Sequence, residues 1–101
     1  MRSLIILREA RKDISQIRKF TSHEWGLKQS QKYLKELFDK MALINQNPNL
    51  GLIKEDVSQT TYVFPHKSHM IYYYFTNTHS FIVRVLHQSM LPKNHLQDRL
   101  T

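Results

Sequence analysis

The chain has 101 residues, with 15 Lys or Arg against 8 Asp or Glu, no cysteine, 41% hydrophobic and 11% aromatic residues. That length fits one domain, spanning 1–101, with a single core and little spare stability, and the aromatic content argues against disorder. The composition excludes a disulfide framework, a thiolate metal site and a membrane span, and the net +7 points to a polyanionic or acidic partner.

Met1 to Leu7 has too short an apolar run for a signal peptide, and the absence of cysteine fits a reducing cytoplasm. Ser3 to Leu7 reads as a short buried strand. Ala10 to about Ser22 follows as an amphipathic helix. Its stripe of Ala10, Ile14, Ile17, Thr21 and Trp25 recurs every three or four residues, flanked by Arg11, Lys12, Arg18 and Lys19. Gly26 stands where that helix should stop, because glycine tolerates the positive φ of a C-terminal cap. Leu27 to about Gln46 is a second helix with a broad apolar face of Tyr33, Leu34, Leu37, Phe38, Met41 and Ile44. Lys32–Glu36 and Lys35–Asp39 are i,i+4 pairs, worth about 0.2–0.5 kcal/mol each. Pro48 ends the helix and disfavours helical geometry at Asn47. The two helices form an αα-hairpin.

Beyond Gly51 the texture changes. Thr60–Phe64, His69–Phe75 and Ser80–Leu86 are aromatic and β-branched runs with short polar connections, which predicts an antiparallel meander. The second and third runs do not alternate polar with apolar, so both sheet faces should be covered. The hairpin covers one. The tail, about 88–101, or a second protein covers the other. The predicted class is α+β, in the order β-αα-βββ: an antiparallel sheet with a helical hairpin packed on one face.

The charge is uneven. Residues 1–54 hold 11 Lys or Arg against 5 Asp or Glu, and residues 55–101 hold 4 against 3. The aromatic strands are nearly free of cations, which weighs against base stacking on nucleic acid and favours an acidic protein partner. His66 and His69 lie in a turn entering a strand, with no acidic residue nearby, so no metal is expected. No glycine-rich loop is present, and no cofactor is expected. Arg84-Val85-Leu86-His87 is the best acid–base cluster. Arg84 would stabilise a phosphorane and His87 would move a proton, but strand alternation sends them to opposite faces unless the strand bends.

The chain resembles the ParE branch of the RelE/ParE toxin superfamily over residues 4–96. The resemblance rests on Glu9-Ala10, Asp13-Ile14, Trp25-Gly26, Tyr33, Asn47-Pro48, Gly51, His69-Met70-Ile71-Tyr72-Tyr73, Arg84-Val85-Leu86-His87-Gln88-Ser89-Met90 and His95-Leu96. It implies a cytoplasmic toxin of a type II toxin–antitoxin system, which binds and inhibits DNA gyrase. Its partner is an acidic, partly disordered antitoxin, in a hetero-oligomer that involves no membrane and no direct sequence-specific nucleic acid. Under that resemblance Tyr72, Tyr74, Arg84, His87, Arg11 and Arg18 are expected to meet the antitoxin. Pro92, Lys93, His95 and Leu96 are expected to meet the target. No catalytic residue is expected. The alternatives are a RelE-like, ribosome-dependent mRNA endonuclease using Arg84 and His87, and a degenerate toxin that only binds antitoxin. Two positions depart from the family pattern. Tyr62 or Val63 stands where an Arg is common, and Leu91 where Asp is common. Where either touches a partner, the departure implies selectivity or weakened toxicity.

Overall fold

The computed structural model describes residues 2–90. The tail positions Pro92, Lys93, His95 and Leu96 lie outside that range. The chain forms β1 (Ser3–Ile6), α1 (Arg8–Trp25), α2 (Leu27–Gln46), a 3₁₀ turn (Pro48–Leu50), β2 (Leu52–Ile53), β3 (Tyr62–His66), β4 (His69–Phe75) and β5 (His79–His87). The five strands make one sheet in the order β1-β5-β4-β3-β2.

The α+β class holds, with three corrections. The sheet is mixed, because β1 pairs with β5 in parallel, with Ser3 opposite His79 and Ile6 opposite Ile82. The apolar run of β1 is not buried: Ser3 and Ile5 are exposed, as an edge strand allows. A fifth, two-residue strand, β2, pairs with β3 and was not legible as a strand.

The helical hairpin follows the sequence closely. Gly26 adopts φ 90°, and its N–H donates to the Ser22 carbonyl at 3.0 Å. Its own carbonyl accepts from the Ser30 N–H and so starts α2. Small side chains let the helices approach: Ala10, Thr21 and Ser30 are buried, and the Thr21 and Ser30 hydroxyls hydrogen-bond at 2.6 Å. Trp25 departs from expectation. It lies on the predicted buried stripe but is 49% exposed, because the helix ends beside it. Phe38, counted on the apolar face of α2, is also exposed. Lys35–Asp39 pairs at 3.1 Å, whereas Glu36 is taken by Lys67 at 3.0 Å rather than by Lys32.

Ile71, Tyr73, Ile82 and Val85 pack beneath the hairpin against Ile14, Leu37, Met41 and Ile44. Tyr72, Val83 and Leu86 pack on the opposite face, joined by Val57 from the loop between β2 and β3. The non-alternating strands thus have a double core, and part of the second cover comes from that loop. Tyr73 ties the sheet to the end of α2. Its hydroxyl donates to the Pro48 carbonyl at 2.7 Å and accepts the Gly51 N–H at 2.9 Å.

β3 runs through Pro65 and His66, so the predicted four-residue connection shrinks to Lys67-Ser68. Pro65 is tolerated because β2 pairs only with Tyr62 and Val63, which leaves the outer edge of β3 open there. Between β4 and β5, Tyr72 faces Arg84 while Tyr73 faces Ile82, so Val83 is an extra residue. This β-bulge resets the alternation of β5.

Candidate functional site

A groove of about 520 Å³ opens between α1 and the last half of β5. It exists because β1 stops pairing at Ile82, so the strand beyond faces α1 directly. Val85 and Leu86 line it from the sheet. Asp13, Ile17, Phe20 and Trp25 line it from the first helix, while His69, His87 and Met90 stand at the hairpin end. Phe20 is 60% exposed and meets Trp25 edge to face at 6.5 Å.

Asp13 organises this site. Its carboxylate accepts Arg84 Nε at 2.7 Å and Arg84 Nη2 at 2.8 Å, a bidentate ion pair. One of its oxygens also accepts the Val85 N–H at 2.9 Å. An acidic side chain from α1 thereby satisfies backbone that β1 leaves unpaired. The pairing raises the Arg84 pKa, chiefly through the Asp13 hydrogen bond. The guanidinium is therefore charged and already neutralised.

The histidines form a second cluster. Tyr33 Oη lies 2.6 Å from His69 Nδ1, and the His69 and His87 rings meet edge to face at 5.5 Å. The Ser89 N–H donates to His87 Nδ1 at 3.1 Å, so that nitrogen is an acceptor and Nε2 carries the proton of the neutral ring. His66 is buried against Tyr33, and neither of its ring nitrogens has a partner among the described residues. Burial lowers the His69 pKa to about 4, with the neighbouring His87 and His66 pushing the same way and Asp13 opposing. Burial lowers that of His66 as well. Among the described residues no three His, Asp or Glu side chains gather to hold a metal ion.

The unfolded chain takes up the His69 proton near 6.5 and the folded chain near 4, so the unfolded state binds more protons between those values. Stability is expected to be fully present above about pH 6.5 and to fall as the pH drops toward 4. Urea midpoints at pH 7 and pH 5 check this. His69→Gln should flatten the difference, and an equal midpoint for the parent protein at both values would contradict it.

The structure brings Arg84 and His87 into one groove although they alternate across β5, because the groove runs along the strand edge that β1 leaves open beyond Ile82 and takes side chains from both faces. Tyr72 is buried on the far face of the sheet and supports it from within. Tyr74 is half-buried there, stacked on Phe81 at 4.7 Å. Arg11 and Arg18 are exposed on the other side of α1 and do not join the groove. Asp13, His69, Phe20 and Trp25 are its unassigned members. Phe20 carried a signal: an aromatic residue off the buried stripe of α1.

A family match, rather than the geometry alone, puts this small basic α+β domain in the class of type II toxin–antitoxin toxins. The family model described as "ParE toxin of type II toxin-antitoxin system, parDE" matches residues 4–92. The chain belongs to the ParE toxin family. It is similar to Toxin ParE1 of Caulobacter vibrioides (strain ATCC 19089 / CIP 103742 / CB 15), at 29% identity over 96 residues, covering 95% of this chain and 99% of that protein. It also shares its fold with a chain of the structure titled "Chromosomal ParDE TA system from P. aeruginosa". The TM-score is 0.75 at 16% identity, covering 86% of this chain and 96% of that one. No helix of the described residues is long and apolar enough to cross a membrane.

Proposed function

We propose that this protein is a cytoplasmic toxin that arrests growth by binding and inhibiting DNA gyrase, and that a cognate antitoxin neutralises it by occupying the α1–β5 groove. Family membership supports the toxin role. The observation that carries the antitoxin reading is the groove itself. It presents Phe20, Trp25 and Met90 to solvent at 60%, 49% and 44% exposure, which is apolar surface of the kind that marks an interface. A toxin that outlasts its antitoxin would halt daughter cells that lose the encoding genes, which is how such a pair would keep a plasmid in a dividing population.

The site supports binding better than RNA cleavage. A phosphorane needs an unspent cation beside it. Arg84 is instead held by both oxygens of Asp13. Burial holds the His69 ring neutral, which leaves it a poor acid for the departing oxygen.

Purified gyrase is expected to lose plasmid supercoiling when this protein is added, and to regain it with antitoxin. Cleavage of mRNA in a translating extract, abolished by Arg84→Ala or His87→Ala, would instead establish the endonuclease. Antitoxin binding without any growth arrest would identify a degenerate toxin. In the groove, Phe20→Asp with Trp25→Asp should weaken antitoxin binding by at least about 30-fold, the loss of one interface hot spot. Titration calorimetry reads this directly, and unchanged affinity would place the antitoxin elsewhere.

A further inference from the structure

The opposite side of α1 carries a separate signature. At about 100° per residue, Arg8, Arg11, Lys12, Ser15, Arg18 and Lys19 fall within one arc roughly 120° wide. The acidic residues of the helix's first two turns, Glu9 and Asp13, lie outside that arc. Lys12 is paired with Glu9 at 3.6 Å. Arg8, Arg11, Arg18 and Lys19 are exposed, and among the described residues none has an ion pair. They span about 16 Å of helix around the small hydroxyl of Ser15.

We propose that this face of α1 binds the phosphate backbone of duplex DNA without reading its sequence. The composition of the arc separates DNA from an acidic protein. Protein interfaces have an apolar or aromatic centre depleted of charge. The arc itself has none: its centre is Ser15 and its flanks are Arg and Lys, and the nearest apolar side chains, Leu27, Leu34 and Phe38, belong to α2 across a cleft that Arg18 borders. That is the set of side chains that contacts phosphate oxygens. An α-helix about 10–12 Å across also matches the major groove, about 12 Å wide, so cations on both flanks reach the two strands. The proposal is independent of the gyrase reading, and its test contains no gyrase.

The test is fluorescence anisotropy of the full chain with two labelled 20-base-pair duplexes of unrelated sequence. Four phosphate contacts predict a salt slope near 3.6, or about 100-fold weaker binding at 200 mM than at 50 mM salt, equally for both duplexes. Arg11→Gln with Arg18→Gln removes two of the four contacts and should cut that change to about tenfold. These residues are exposed, so the variant should melt with the parent protein. Lys40→Gln with Lys54→Gln removes the same charge elsewhere and should behave like the parent. No binding at 50 mM salt, or an unchanged slope in the arginine variant, would overturn the proposal. So would an equal loss in the lysine control, which would mean net charge alone. Displacement of the duplex by polyglutamate at equal charge concentration would also overturn it, and would identify the partner as an acidic polypeptide.

Discussion

Asp13→Ala is expected to lower the stability of this protein by about 3 kcal/mol, at the lower end of what breaking a buried ion pair costs. The carboxylate accepts three hydrogen bonds, two from Arg84 and one from the Val85 backbone. The Arg84 and Asp13 side chains are only 15% and 11% exposed, so water replaces little of what is lost. The mutation uncovers a mostly buried guanidinium and an N–H on β5 together, and each desolvated group left without its partner carries a penalty. For a domain of this size the midpoint of thermal unfolding should drop by about 15 °C. Asp13→Asn keeps an acceptor for the Val85 N–H but loses the charge, so it should fall between. A melting curve for Asp13→Ala within a few degrees of the parent would show that the pair merely decorates the fold.

Gly51→Ala should cost a similar amount through a different mechanism. The backbone there has an ordinary extended conformation, with φ −75°, so no strain arises from a left-handed residue. The obstacle is space. A Cβ at Gly51 would sit 2.4 Å from the Tyr73 hydroxyl and 2.8 Å from the Val63 carbonyl. Tyr73 is fully buried, and its hydroxyl bridges Gly51 and Pro48, so it cannot swing aside without breaking both bonds. Overpacking of about 1–3 kcal/mol adds to about 1 kcal/mol for each displaced hydrogen bond. The expected total is about 3 kcal/mol, read as a shift in the urea midpoint. Tyr73→Phe removes the clashing oxygen, so Gly51→Ala should be cheaper in that background than in the parent. Full additivity of the two changes would contradict the contact.

The helical half of the molecule was largely legible in the sequence. The spacing of Tyr33, Leu34, Leu37, Met41 and Ile44 marks the face that α2 buries. Gly26 and Pro48 mark where the helices stop, because both act through local backbone geometry. The site was less legible. Arg84 and His87 were visible as residue types, but their common groove depends on where β1 stops pairing with β5, a matter of strand length that neither local segment shows. Asp13 reads as one more polar residue on a helix flank until β5 is placed beside it. Trp25 continues the buried stripe of α1 by spacing, yet it is half-exposed because the helix ends there.

Length, charge and periodicity alone determined a small basic α+β chain with a helical hairpin, an aromatic sheet and a charge excess confined to the first half. These follow from short-range rules: helix period, turn chemistry and composition. Only the tertiary structure decided how that charge is divided. On one side of α1 an acid and an arginine cancel inside an apolar groove; on the other, four cations stand without ion pairs among the described residues. The +7 is a sum over residues, whereas the field a partner meets depends on which charges the fold brings within reach of one another.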